Sequence, residues 1–153
     1  MAEALAAAVA DGAKTTGSEV AVIEAGALDG AGDFDLLFIG TGSYAFGPDH
    51  AVIASLSSPK LSGRRVAVFC VHSGGGKAVL AKMASLAAAA GALESGSLSI
   101  PLRGILKHIG KGNLQEIDLV RARAFGERTC NKSFGLRVAK DNEKQRIKGY
   151  EKQ

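Results

Sequence analysis

Two uninterrupted apolar runs constrain this chain most: "DLLFIG" at residues 35–40 and "GRRVAVFCV" at residues 63–71. Neither alternates apolar with polar residues, so neither suits a strand with one face in water. Short continuous runs of this kind are expected of parallel strands covered on both faces by helices. Each run leads directly into a loop of small residues, "TGSYAFGPD" after the first and "HSGGGK" after the second.

The sequence between and around the runs supplies the helices. Residues 2–12, "AEALAAAVADG", read as a helix stopped by Gly12, and "SEVAVIEA" at 18–25 reads as a strand from its β-branched content. Residues 49–58 suit a short helix begun by Pro48 and Asp49. A long Ala-rich helix follows the glycine loop and ends at Gly91, and residues 92–100 read as a weaker strand closed by Pro101. Residues 113–132 form an amphipathic helix with Leu114, Ile117, Val120, Ala124 and Cys130 towards one side. Strands alternating with helices imply parallel neighbours joined by right-handed crossovers. Ligands in such sheets bind beyond the carboxyl ends of the strands, the edge on which both small-residue loops open.

With 153 residues, 46% of them hydrophobic, the chain has enough apolar surface for one domain with a substantial core. We read residues 1–133 as that domain and 134–153 as a basic tail. Residues 1–103 carry 7 Lys/Arg against 9 Asp/Glu, whereas residues 104–136 and 137–153 each carry 6 against 3. Interspersed acids and scarce aromatics argue against specific nucleic-acid binding. No stretch approaches the length of a membrane span and no cationic leader opens the chain, so a cytoplasmic protein with Cys70 and Cys130 reduced is expected. Cys70, inside its strand, should be buried and inert. No nucleophile with its base, and no carboxylate pair, stands out.

Three stretches resemble the flavodoxin family: "DFDLLFIGTGSYAFGP" (33–48), "LSGRRVAVFCVHSGGGKAVLAKMASLAAAAGA" (61–92) and "GKGNLQEIDLVRARAFGERT" (110–129). The likeness spans about residues 2–130. It implies an α/β, flavodoxin-like three-layer sandwich with a mainly parallel sheet. One part of the family pattern is absent. A flavodoxin opens with a central strand and a Thr/Ser-rich loop around the FMN phosphate, whereas here Met1 is followed at once by the first helix. The first central strand is therefore missing or replaced. "KTTGSE" at 14–19 is no substitute, because it precedes a strand and not a helix; it is read as a turn. The gap would leave apolar strand edges unpaired and favour association. A homodimer, a partner chain completing the sheet, or an extra strand from residues 134–140, where Phe134, Leu136 and Val138 alternate, would each fill it.

The resemblance implies an FMN-binding electron-transfer protein acting with redox protein partners, its binding weakened by the absent phosphate loop. A flavin-dependent oxidoreductase acting on quinones is a variant. In the first loop Thr41, Gly42 and Ser43 would face the flavin edge, Tyr44 or Phe46 would stack on the ring, and Ala45 and Gly47 would complete the turn. In the second, His72, Ser73, Gly74, Gly75 and Gly76 would approach the ring carbonyls. The alternative is a flavin-free, flavodoxin-like interaction module or a truncated fragment.

Overall fold

The computed structural model describes residues 2–30, 33–43, 47–104 and 113–151, with side chains described throughout except at 29, 30, 43 and 135–151. Within these residues the order is α1 (Ala2–Lys14), a 3-10 turn (Ala25–Gly30), β1 (Leu36–Ser43), α2 (His50–Leu56), a second 3-10 turn (Pro59–Leu61), β2 (Arg65–His72), α3 (Gly76–Ala89), β3 (Leu93–Pro101) and α4 (Glu116–Glu151). The strands form one parallel sheet in the order β1-β2-β3. Helices cover both of its faces, giving the three-layer α/β sandwich implied above.

Strand β2 explains the layering. Its residues 66–71 are all buried, and successive side chains of a strand point to opposite faces. Ala67, Phe69 and Val71 join Leu98 and Ile100 of β3 under α1 and α4, where Leu5, Val9, Ala122 and Phe125 meet them. Val66, Val68 and Cys70 join Ile39 under α2 and α3, against Leu56, Val79 and Met83. Helix α3 ends where the sequence places its stop, with Gly91 at φ +85°, a conformation glycine adopts without steric cost.

Two expected strands are not strands. Residues 18–24 form no regular element, and Val22 and Ile23 are 61% and 45% exposed. Their β-branched content favours a strand only where another strand pairs with it, and none does so among the described residues. Residues 134–140 are helical, because α4 continues through them to Glu151. Once a helix is under way each further residue adds a hydrogen bond, and Gly135 without a proline costs too little to stop it. The expected face of α4 is borne out in part, with Cys130 buried and Leu114 packed on the core. Ile117 and Val120 are exposed, while Asp118, Ala122, Phe125, Thr129 and Ser133 are buried.

Helix α4 begins with a carboxylate that reaches back to the residue before it. The carboxylate of Asp118, fully buried, accepts hydrogen bonds from the Gln115 backbone N–H at 2.8 Å and from the Arg103 guanidinium. The first turn of the helix is thereby tied to the segment leaving β3.

Candidate functional site

The carboxyl edge of the sheet brings the two small-residue loops side by side. Ser43 and His72 are paired in register across β1 and β2, and His72 is paired with Pro101 of β3. Chain turns leave the sheet at neighbouring points, as parallel topology requires.

At the end of β1, Thr41 is buried and its hydroxyl accepts the Asp49 N–H at 3.2 Å. Asp49 in turn caps α2, its carboxylate accepting the Ala51 N–H at 2.8 Å. The loop is thus anchored at both ends, with Gly42 half-buried and Gly47 at φ +108°. Tyr44, Ala45 and Phe46 lie outside the described residues, as does the Ser43 side chain.

At the end of β2, Ser73 and Gly74 bend the chain, and Gly75 at φ +69° opens α3. Gly76 is buried because it has to be: a Cβ there would lie 2.4 Å from both the His72 ring and the Ser99 hydroxyl. Ser99 and His72 Nε2 are hydrogen-bonded at 2.7 Å, so β3 fixes the imidazole's orientation. Ser99 is the residue that sequence reading missed. Nothing in "SLSI" marks it; only the register of β3 against β2 brings it to His72. Cys70, one turn of the pleat below, has its thiol pushed up by burial, which the Ser99 hydroxyl partly offsets. It is buried and protonated, as its place in the strand implies. Lys77 and His50 are exposed.

A Cβ built on Gly47, Gly74 or Gly75 meets nothing within 4 Å, so backbone at these positions faces open space that a ring can approach closely. The residues present fit a flavin ring. They offer less to its phosphate. Thr15 and Thr16 donate their hydroxyls to the Gly12 and Ala13 carbonyls at 2.6 and 2.7 Å. The turn at 14–19 therefore closes the carboxyl end of α1, where the helix dipole repels an anion.

A hollow of about 210 Å³ lies at the opposite, amino edge of the sheet, beside Arg64 and Arg65. Its arginines are already engaged. Arg64 binds Asp33 at 2.9 Å and the Phe34 carbonyl at 2.7 Å, and Arg65 binds the Ser133 carbonyl. That hollow joins α4 to the sheet and is remote from the loops.

Several solved structures share this architecture. A flavodoxin from the domain Archaea superimposes with a TM-score of 0.59 at 16% identity, covering 86% of this chain and 90% of that one. A WrbA-like flavodoxin protein from Agrobacterium tumefaciens gives 0.59 at 20% identity, covering 88% and 90%. The flavodiiron protein from Giardia intestinalis gives 0.65 at 20% identity; 88% of this chain is covered, but it spans only 33% of that protein. At these identities the likeness is one of fold, and the chain's fold is flavodoxin-like. No family model and no curated protein matches the sequence. Among the described residues no helix is long and apolar enough to cross a membrane.

Proposed function

We propose that this chain binds a flavin at the carboxyl edge of β1 and β2 and serves as a flavodoxin-like electron-transfer protein for larger redox partners. The observation that carries the reading is the pairing of Ser43 with His72, which sets two loops with open glycine backbone beside each other. The flavodoxin fold of the solved neighbours supports it. When bound, a flavin supplies the redox chemistry, which no side chain of the site offers.

The chain's own residues are assigned the following roles in this reading. Thr41, Gly42 and Ser43 present backbone groups at the end of β1, with Thr41 holding the loop to Asp49. Tyr44 or Phe46 is assigned to stack on the ring and exclude water, as aromatic faces do in offset geometry, and Ala45 and Gly47 carry the chain past it. His72, tied to Ser99 beneath Gly76, holds the second loop in place on β3. Ser73 and the Gly74–Gly76 backbone close the other side. Each charge-assisted hydrogen bond to a phosphate contributes about 1.5–3 kcal/mol. The turn at 14–19 supplies no such bond, since its threonine hydroxyls are spent on the end of α1.

The test is a titration of the chain with FMN and with riboflavin, following quenching of flavin fluorescence. Similar binding of both is expected. Gly74→Val, which fills open space without touching the core, is expected to weaken both equally. Removing residues 137–153 should leave both titrations unchanged, which would also support 1–133 as the working domain. Failure of either flavin to quench at high protein concentration would overturn the reading. The second reading is a flavin-free interaction module. It is favoured by one specific observation, the exposure of Val22 and Ile23 beside an unpaired backbone.

A further inference from the structure

The sheet has two edge strands, and they are protected very differently. Strand β3 carries Glu94, Ser95, Ser97 and Ser99, a register irregularity opposite Val66 and Ala67, and a terminal Pro101. Charge, bulge and proline are the features by which edge strands resist further pairing. Strand β1, "LLFIGTGS", has none of them. It is eight residues long, uncharged and regular in its register with β2, and among the described residues nothing pairs with its outer side. Leu36, Leu37 and Phe38 are only half-buried, whereas Val66 and Ala67, in register with Leu37 and Phe38, are 1% and 0% exposed. The covering that β2 enjoys stops at β1.

A second unsatisfied element lies in the same chain. Among the described residues the backbone of 19–23 makes no hydrogen bond. It carries Val20, Ala21, Val22 and Ile23 between Glu19 and Glu24, and Val22 and Ile23 are among the most exposed large apolar side chains. This segment joins α1, on one face of the sheet, to the 3-10 turn docked on α2 at the other, where Ser55 donates to the Ala25 carbonyl at 2.5 Å. One surface therefore presents both an apolar strand edge lacking a partner and a β-branched segment lacking a partner, and within one chain they do not pair with each other.

We infer that two copies of this chain associate by reciprocal strand addition, residues 19–24 of each pairing along the outer edge of β1 in the other. A two-fold axis makes the exchange isologous: the same patch serves as donor and acceptor, so each dimer gains two such pairings and closes. The segment's composition suits the position. Four apolar residues enter between helical layers, and the flanking glutamates stay at the rim in water. The eight residues of β1 are long enough to receive all six. The inference stands apart from the flavin reading, since the β1 edge is used along its length and the loops only at its end.

The test is sedimentation equilibrium of the full chain up to millimolar protein, beside two variants. Val22→Lys with Ile23→Lys alters side chains exposed in the single chain, so it should fold normally by circular dichroism. Ile117→Lys with Val120→Lys alters the exposed apolar pair on α4. The expected result is a dimeric wild type, a monomeric first variant and a dimeric second variant. Amide exchange in β1 should become faster in the first variant only. A monomeric wild type, a first variant that stays dimeric, or a dimer broken by the α4 pair instead would each overturn the inference.

Discussion

On the α1/α4 face, helix meets helix backbone to backbone; on the α2/α3 face, helices stand off the sheet on leucine and methionine side chains. A Cβ on Gly12 would lie 1.9 Å from the Arg123 carbonyl oxygen, and one on Gly126 would lie 2.1 Å from that of Val9. Below this crossing, Phe125 meets Phe38 edge-on, with ring centroids 5.7 Å apart. The opposite face is filled by Leu56, Leu61 and Met83, each fully buried. One face is defined by atoms that are absent and the other by atoms that are present. The first should resist enlargement and the second truncation, although both pack on the same three strands.

Enlargement of the glycines tests the first half of that contrast and should have the largest effect. In an isolated helix, Gly→Ala gains about 1 kcal/mol of propensity. Here the obstacle is a carbonyl of the neighbouring helix, and overpacking costs about 3 kcal/mol at each site. The double variant Gly12→Ala/Gly126→Ala should therefore lose about 4 kcal/mol in urea unfolding, with propensity deducted. A neutral or stabilised variant would show that the two helices have room to separate. On the other face Met83→Ala should lose about 3 kcal/mol through the cavity it leaves. Met83→Leu, which conserves volume, should lose less than about 1.5 kcal/mol. If Met83→Leu were as damaging as Met83→Ala, the contrast between the faces would dissolve.

The same contrast explains what could be read from the sequence. Strands β1 and β2 were legible because a continuous apolar run bounded by glycines has few other uses, and α3 because Gly91 stops it. The flavodoxin-like fold, and the placing of Ser43 beside His72 at one edge of the sheet, followed from that order. The buried face of α4 was legible only in part. Its contact with α1 runs through Gly126 and the Arg123 backbone, and such contacts leave no apolar periodicity, whereas the exposed Ile117 and Val120 mimic one. Residues 18–25 misled for a related reason: β-branched composition reports what a strand prefers, not whether a partner is beside it. Ser99 was hidden because side chains meet across strands only through register. An extra strand at 134–140, one of three alternatives, fitted three alternating apolar residues, but no helix breaker stands before them and α4 runs through.

Each face also holds one cysteine, and these give the smallest and most selective comparison. Cys70 lies on the α2/α3 face and Cys130 on α4, and both are buried. Burial pushes both thiols up, Cys70 against one opposing hydroxyl, Ser99, and Cys130 against two, Thr16 and Ser18. A thiol whose folded pKa is raised stays protonated in the native chain at a pH where the unfolded chain has begun to ionise. Its contribution to stability is complete below the unfolded thiol's pKa and is lost as pH rises through the folded one. Stability should therefore be insensitive to both thiols at neutral pH and fall in the alkaline range. The readout is the difference between wild type and Cys70→Ala, and between wild type and Cys130→Ala, in urea midpoint from neutral to alkaline pH. Each variant should lose less stability than wild type across that range. A variant whose profile falls as steeply as wild type's would mean that burial on that face does not raise its thiol.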